Sequence, residues 1–406
     1  MLIAFCSLVL SASEPTTPHW VYLHPRPSLD AASLDSAARD TLSPRSIHRR
    51  QLRGTAPTLF SDADRPLDPT AVDAVLLSGV SERTQSRWLN AISVNATPSQ
   101  LARLHTLPEV ARIAPVRGGQ RRLAGITENP PESAGGFGAR AFYGRAEAQL
   151  TQINVTGLHA LGYTGAGVVI GVLDTGFRRD HTAFHHPTHP LVVLAERDFI
   201  NDDNNTGIDL DDDPEQHRHG TWCMSTIGAY APDAFMGGAY DASFILCKTE
   251  DVTSETPIEE DYYVEGLEFA EANGADVVTS SLGYIDWYTQ ASLNGTTAVT
   301  TIAVNIAGEL GVHCVTAAGN EGNDSNPATS TIIAPADAFR VISCGAVDDA
   351  GNSAAFSSSG PTADGRIKPE VLALGVNTDV ISSRNTTGYG EVSGTSLSTP
   401  LVAAAV

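Results

Sequence analysis

The feature that most constrains the fold of this chain is a series of short apolar runs that indicate buried strands. Two of these runs, residues 168–176 and 311–320, carry a polar side chain near their end, Asp174 in the first and Asn320 in the second. Continuous apolar strands are typical of a parallel sheet that is covered on both faces. Polar residues at the carboxyl ends of such strands lie where α/β folds form their active sites. The sequence therefore predicts an α/β fold with a doubly wound, mainly parallel sheet and helices on both faces.

A small-residue segment close to position 400 carries the strongest chemical signal. The sequence GTSLSTP at 394–400 places Ser396 at the start of a predicted helix. The first backbone N–H groups of a helix have no intrahelical acceptor, so they can bind developing negative charge. A serine hydroxyl is a weak nucleophile that needs a base, and the base needs an orienting group. Ser396 is thus a candidate nucleophile.

His219 and Asp174 are the candidates for the base and for its orienting group. His219 precedes small residues at 223–229 that predict a buried helix. Asp174, His219 and Ser396 follow one another in an order that is known for serine protease triads. Together with the Ala-Ala-Gly-Asn sequence at 317–320, these motifs resemble those of the subtilisin-like serine proteases, the peptidase S8 family.

The resemblance covers residues 140–406 strongly and 20–120 weakly. It implies a secreted serine endopeptidase with an Asp174–His219–Ser396 triad, in which Asn320 donates a hydrogen bond to the oxyanion. It implies no required cofactor and assigns no metal ligand. Peptide or protein substrates are the expected partners, and we expect a monomer.

The resemblance also implies a substrate cleft with two walls. In this family one wall pairs with the substrate as an added β-strand, and it maps here to Ser281, Leu282 and Gly283. The opposite wall maps to Ala317, Ala318 and Gly319. Neither wall contains a charged residue, and we expect Ile332 and Ile333 near the pocket floor. An apolar side chain is therefore expected before the scissile bond.

The first part of the chain differs in character from the rest. Residues 1–13 combine an apolar run with small residues and predict a signal peptide, although a basic leading region is missing. Residues 20–120 resemble the inhibitory propeptide of the family, a small α+β ferredoxin-like module, with an unrelated binding domain as the alternative. The linker at 121–140 is expected to contain the maturation site. Residues 141–406 then form the catalytic domain.

Charge separates these two parts. Residues 1–120 contain 12 arginines and 10 acidic residues, a net charge of +2, whereas residues 121–406 contain 13 basic and 37 acidic residues, a net charge of −24. Opposite charge favours association, so we expect the propeptide to bind its own catalytic domain in cis. The acidic surface argues against nucleic acid and anionic membranes as partners.

Three groups of residues, aspartates, histidines and cysteines, could suggest metal sites or reactive thiols but have simpler interpretations. The seven aspartates of the loop 198–213 leave a structural Ca²⁺ ion open, but their spacing fits no known calcium loop. Four histidines, His181, His185, His186 and His189, are a weak zinc candidate. Cysteines 247, 314 and 344 fall in apolar runs and are expected to be buried and small. Cys223 lies one helical turn after His219, where a proteinase K-like subgroup carries a free cysteine, and a mercurial bound there is expected to inhibit.

Three alternatives remain beside the protease. A sedolisin-type peptidase also has a serine in a Gly-Thr-Ser context, but His219 and Asn320 do not fit its Glu base and Asp oxyanion residue. A catalytically silent binding module is disfavoured because every catalytic side chain is present. Ser396 lies ten residues before the last residue of the sequence. We therefore expect the C-terminal part of the catalytic fold to be missing, which leaves an inactive fragment as the third alternative.

Overall fold

The computed structural model describes residues 14–54, 58–116, 127–129, 142–210, 212–253, 256, 258–323 and 329–406. It divides into two compact units, residues 1–28 with 66–116 and residues 29–65 with 117–406. The predicted signal peptide and, except for 127–129, the predicted linker lie outside the described residues.

The first unit is built on an antiparallel sheet. Its strands are β1 (Thr17–Leu23), β2 (Ser81–Ser86), β3 (Ala91–Ala96) and β4 (Val110–Pro115), in the spatial order β2-β3-β1-β4. Val21 on the central strand pairs with Ile92 on one side and with Ile113 on the other. Helices α3 (Pro69–Leu76) and α4 (Pro98–Leu104) add Val75 and Leu104 to the same apolar core. This strand order confirms the predicted ferredoxin-like module.

Helix boundaries in this unit follow from local sequence. Asp68 accepts a hydrogen bond from Thr70 N and begins α3, with a proline at the first helical position. Thr97 and Gln100 form a reciprocal capping box at the start of α4. Both arrangements satisfy N–H groups that a helix start otherwise leaves unbonded.

The second unit contains a seven-stranded parallel sheet. The strands are β6 (Val169–Asp174), β9 (Val192–Asp198), β12 (Ser243–Lys248), β13 (Val277–Ser280), β14 (His313–Ala317), β15 (Val341–Val347) and β16 (Val371–Leu374). Their spatial order is β16-β15-β14-β13-β6-β12-β9. The two apolar runs noted in the sequence, residues 168–176 and 311–320, correspond to β6 and β14.

Helices cover both faces of this sheet. They are α5 (Glu147–Gln152), α6 (Val155–Ala160), α7 (Arg218–Gly228), α8 (Ile258–Ala272), α9 (Val299–Glu309) and α10 (Thr395–Ala405). On β6, Ile170 and Val172 belong to a core cluster with residues of α7 and α10. The alternate residues Gly171 and Leu173 lie instead against α8. Both faces of a central strand are therefore buried, which explains its continuous apolar sequence.

Two further helices of this unit, α1 (Ala31–Thr41) and α2 (Pro44–Arg53), come from the N-terminal part of the chain. The remaining strands are short: β5 (Thr127–Asn129), β7 (His185–His186), β8 (His189–Pro190), β10 (Tyr230–Ala231), β11 (Phe235–Met236), β17 (Thr378–Ile381) and β18 (Tyr389–Ser393). β18 pairs with β17 and with β5, and leads directly to α10. Within the described ranges, no helix combines the length and the apolar character that a membrane crossing needs.

Candidate active site

Asp174 and His219 meet at the carboxyl end of β6. Asp174 is the last residue of that strand and is fully buried. His219 is the second residue of α7, and its Nδ1 lies 2.7 Å from Asp174 Oδ1. The same carboxylate oxygen accepts a hydrogen bond from Thr175 N at 2.7 Å. This pair fixes the imidazole so that Nε2 points away from the carboxylate.

Electrostatics around His219 favour the protonated ring. Burial opposes a charged imidazole, but the Asp174 carboxylate and the Cys223 sulfur together outweigh burial and raise the pKa of His219 well above its ordinary value. A general base must be neutral before it can accept a proton. A neutral His219 is therefore favoured only as the pH rises above this raised pKa.

Ser396 lies in the first turn of α10, one residue after the helix begins at Thr395. Its hydroxyl donates to the Ser281 carbonyl at 3.3 Å. Within the described part of the chain its hydroxyl has no hydrogen bond to His219, so the side chain must rotate before the base can take its proton. Such bonds often form only when substrate is bound.

The backbone carbonyl of Ser396 is held by two side chains because of Pro400. Pro400 lies inside α10 and cannot donate the usual hydrogen bond to the carbonyl four residues earlier. Ser281 Oγ donates to this carbonyl at 2.7 Å, and Cys223 Sγ donates at 3.4 Å. Because Pro400 leaves the Ser396 carbonyl without its usual helical donor, the Ser281 and Cys223 side chains can bond to this carbonyl and fix the position of Ser396.

Cys223 also contacts the base. Its Sγ lies 3.9 Å from His219 Nδ1, as the one-turn spacing on α7 predicts. Burial raises the pKa of the Cys223 thiol, which keeps the sulfur protonated as a donor. Cys247, Cys314 and Cys344 are buried, as predicted, and these three and Cys223 are free cysteines.

Asn320 is oriented for hydrogen-bond donation. Its Oδ1 accepts from both Thr395 N and Thr395 Oγ1, each at 2.9 Å. The amide nitrogen therefore points the other way, and it donates to no group among the described residues. Asn320 and Ser396 line the same pocket. The Asn320 Nδ2 group and the Ser396 N–H are therefore candidate donors to one negatively charged oxygen.

Five of the six residues expected to form the two walls line the pocket beside Ser396. They are Ser281, Leu282, Gly283, Ala317 and Gly319. Ala318 does not line the pocket; it is buried, and its carbonyl accepts a hydrogen bond from Ile333 N.

Ile333 closes the pocket between two glycines. A Cβ on Gly283 would lie 2.3 Å from Ile333 Cδ1, and a Cβ on Gly319 would lie 2.9 Å from Ile333 Cγ2. A side chain at either position would therefore displace the Ile333 side chain. Ile332, the other residue expected at the floor, is buried outside the pocket lining.

Four lining residues were missed by the sequence analysis: Ile285, Asp286, Glu321 and Thr395. Asp286 and Glu321 are exposed, so they place two carboxylates at the pocket mouth although both walls are uncharged. Asp286 follows the predicted site residue Gly283 by three positions, and Glu321 follows Asn320 by one. Their proximity to Gly283 and Asn320 was a signal that could have identified them.

The acidic loop is organised around a lysine. Lys248 is fully buried, and its Nζ lies 2.8 Å from Asp198 and 2.7 Å from Asp212. Asp198 Oδ1 also accepts from the backbone N–H groups of Ile200 and Asn201. Ligand atoms of Asp198, Asp203 and Asp209 lie within 4.8 Å of one another, a donor set of the type that Ca²⁺ uses. Lys248 already supplies a cation to this loop.

The four clustered histidines do not share a site. His181 Nε2 bonds to Gly388 O at 2.9 Å, and His185 Nε2 bonds to Arg179 O at 2.8 Å. His189 Nδ1 lies 2.5 Å from Asp241 Oδ1. Each ring has its own partner, which favours a structural role over zinc.

Comparison with known proteins agrees with this geometry. Residues 165–406 match the subtilase family, peptidase S8, and residues 18–128 match the peptidase S8 propeptide domain of Bacteroidota. Subtilisin E from Bacillus subtilis (strain 168) is 33% identical over 257 residues, which cover 63% of this chain and 58% of that protein. Subtilisin from Bacillus pumilus is 32% identical over 257 residues, 63% of this chain and 81% of the relative.

A third relative, serine protease AprX from Bacillus subtilis (strain 168), is 29% identical over 273 residues, 59% of this chain and 56% of its own length. The chain thus spans less than two thirds of subtilisin E and of AprX. The parallel sheet, the N-terminal module and these matches lead to one conclusion: the chain belongs to the subtilase family, with an S8 propeptide domain ahead of the protease domain.

Proposed function

We propose that this protein is a secreted serine endopeptidase that is made as an inhibited zymogen. The observation that carries the proposal is the Asp174–His219 hydrogen bond at the carboxyl end of β6, on the same side of the sheet as Ser396 and Asn320. Asp, His and Ser side chains in this relation perform acyl transfer.

In the proposed mechanism, Ser396 first turns from the Ser281 carbonyl towards His219 Nε2. His219 takes the hydroxyl proton while Ser396 Oγ attacks the peptide carbonyl, and Asp174 stabilises the imidazolium that forms. Asn320 Nδ2 and the Ser396 N–H donate to the oxyanion. His219 then protonates the leaving amine, and water hydrolyses the acyl-enzyme through the same base.

Substrate choice follows from the pocket. Ile333 gives it an apolar floor, which supports an apolar side chain before the scissile bond. The carboxylates of Asp286 and Glu321 at its mouth favour basic residues at neighbouring substrate positions. Ser281, Leu282 and Gly283 are proposed to pair with the substrate backbone.

Inhibition and export complete the proposal. The N-terminal module matches a propeptide domain, and its net positive charge complements the acidic remainder of the chain. We place the maturation cut within residues 121–140 and export under the direction of residues 1–13. N-terminal sequencing of the catalytic fragment recovered from the culture medium tests both, since an N terminus of that fragment outside 121–141 contradicts the assignment.

The activity is tested with peptide substrates that carry an apolar residue before the scissile bond and a basic residue next to it. We expect hydrolysis that Ser396→Ala abolishes, and a kcat/KM that rises with pH through a midpoint above 6.5, because the Asp174 carboxylate raises the pKa of His219. Peptide binding without hydrolysis at any pH would instead support a silent binding module.

A further inference from the structure

Residues 29–65, which we call the helical arm, separate β1 from α3 in the sequence but pack in the second unit. The arm contains α1, α2 and a 3₁₀ turn at Asp62–Asp64. It includes part of the arginine-rich stretch of the N-terminal region, to which the proposed catalytic function gives no role. The contacts of these arginines assign one.

The arm binds where three central strands of the parallel sheet begin. Arg45 Nη2 donates to Gly167 O at 2.7 Å, two residues before β6. Arg53 Nη1 donates to Asp276 O at 3.1 Å, one residue before β13, and also to Gly311 O just before β14. Asp174, the candidate triad carboxylate, lies at the opposite end of β6. A strand of six residues spans roughly 20 Å, so the arm and the active site occupy opposite ends of the same sheet.

One carboxylate on α8 is the centre of the contact. Glu271 is fully buried, and its Oε1 accepts from Ser46 Oγ at 2.8 Å and from Arg50 Nε at 3.0 Å. Arg49 forms an ion pair with the same oxygen. Arg49 and Arg50 are 3% and 4% exposed, so two cations of the arm are nearly completely removed from water around a catalytic-domain glutamate.

A second carboxylate, from the arm itself, balances the charge. Asp64 in the 3₁₀ turn receives both Nη groups of Arg50, at 2.9 and 2.8 Å. Two cations and two carboxylates therefore meet in one buried cluster. Buried ions are tolerated only when they are paired and hydrogen-bonded in this way.

The arm also completes the C-terminal end of α8. The last carbonyls of a helix have no intrahelical donor. Here Ser43 N donates to Ala272 O at 2.8 Å and Arg49 Nη1 donates to Glu271 O at 3.4 Å. Just beyond the helix, Arg45 Nε donates to Gly274 O at 3.2 Å and Arg49 Nη1 to Ala275 O at 2.5 Å. Positive charge at this end of a helix is also favourable for its dipole.

Apolar packing adds to these polar contacts. Ala38, Leu42, Ile47 and Phe60 of the arm form a buried cluster, and Ala272 of α8 packs against it. The arm thus combines a buried apolar cluster with arginines that are paired to carboxylates, which is the composition of a stable interface.

We propose that the helical arm is a docking module that stays bound to this amino end of the sheet after the chain is cut within residues 121–140. Its contacts, at the end of the sheet opposite to Ser396, then set how slowly the N-terminal region dissociates. Because the chain passes between the units at residues 28–29 and 65–66, the arm tethers the first unit to the enzyme and keeps its effective concentration high.

The test uses the whole protein with Ser396→Ala, and with the recognition sequence of a site-specific protease placed within residues 131–140. Cutting is then independent of the protein's own chemistry, so failure of the proposed activity does not affect the result. After the cut, size-exclusion chromatography measures the release of the N-terminal fragment, and hydrogen exchange reports the protection of α2.

We expect both fragments to elute together and α2 to keep the protection it has before the cut. The double variant Arg49→Met/Arg50→Met should release the fragment on the order of 100-fold faster or more, because the buried Glu271 and Asp64 carboxylates then lose the cations that neutralise them. Arg39→Met is the matched control, since Arg39 belongs to the same arm but pairs with Asp35 at the surface. It should release at the parental rate.

If the double variant does not fold before the cut, Glu271→Gln replaces it, because this change keeps the side-chain shape and removes only the charge. It too should accelerate release. Immediate separation of the parental fragments, loss of α2 protection on cutting, or equal release rates in the parent and the arm variants would each overturn the proposal.

Discussion

At the carboxyl end of the parallel sheet, polar groups are fixed in position but keep hydrogen-bonding capacity, whereas at the amino end they satisfy one another. Asn320 is held through its carbonyl oxygen by Thr395, which leaves its amide nitrogen to donate. Glu271, at the other end, accepts from a serine and two arginines of the helical arm.

This difference separates two uses of buried polarity. A site that must stabilise charge during a reaction needs oriented donors that have no partner in the resting state. A contact that must hold two segments together needs every charge to be paired, since an unpaired buried ion is costly. The same strands thus have the candidate active site at their carboxyl ends and the contact with the helical arm at their amino ends.

The largest expected effect is on catalysis, and it should leave the binding of the N-terminal fragment unchanged. Ser396→Ala and His219→Ala should each lower kcat by about 10⁶-fold, the scale found when a triad serine or histidine is removed. Retention of the N-terminal fragment after a cut in the linker should be unchanged in both variants. Peptide hydrolysis and size-exclusion chromatography measure the two properties, and a triad variant that also loses the fragment would break the separation of the two ends.

The next effect concerns the oriented donor. Asn320→Ala should lower kcat by about 10²–10³-fold and leave KM nearly unchanged, because the lost hydrogen bond forms mainly in the transition state. Steady-state kinetics with a peptide substrate measure both constants. Asn352→Ala is the control, since that asparagine bonds to Asp348 in an exposed loop. An increase in KM at constant kcat would show that Asn320 binds substrate instead.

A smaller effect sharpens the description of the pocket. Ile333→Ala removes the side chain that lies between Gly283 and Gly319, so larger apolar side chains should be accepted there. We expect the ratio of kcat/KM for a Phe substrate over that for an Ala substrate to rise by about 10–100-fold, the usual range for filling an apolar pocket. Ile332→Ala, beside the pocket but outside its lining, should leave this ratio unaltered. Equal changes in both variants would remove Ile333 from the floor.

The smallest effect on untreated enzyme concerns Cys223. Cys223→Ala should change kcat/KM by only a few-fold, because Ser281 Oγ still holds the Ser396 carbonyl. A thiol-reactive mercurial should inhibit the parent and spare this variant, since Cys223 Sγ lies 3.9 Å from His219 Nδ1. Cys247→Ala removes a buried thiol on a neighbouring strand and should remain as sensitive as the parent. Equal mercurial sensitivity in the Cys223 variant would contradict the idea.

Much of the site could be predicted because its residues stand at the ends of recognisable elements. Asp174 and Asn320 follow buried strands, and Ser396 begins a helix, so topology alone brings them to one edge of the sheet. The parallel sheet itself followed from continuous apolar runs. The catalytic assignments remain predictions until activity is measured.

Other features depend on contacts that no local pattern specifies. Arg49 and Glu271 are 222 positions apart, and nothing near either residue indicates the other. The arginine-rich stretch therefore suggested only general attraction to an acidic surface. The role of Pro400 was equally hidden, since it depends on the side chains that meet the Ser396 carbonyl in its place. Long-range pairing of this kind needs the folded structure.

The central claim is that Ser396 is a nucleophile activated by His219, and covalent labelling tests it most directly. The protein is treated with a fluorophosphonate, and the modified peptide is identified by mass spectrometry. We predict a single phosphonylated residue, Ser396, at a rate that increases with pH and is lost in His219→Ala. Absence of labelling at every pH tested, or labelling that is unaffected by His219→Ala, would contradict the account.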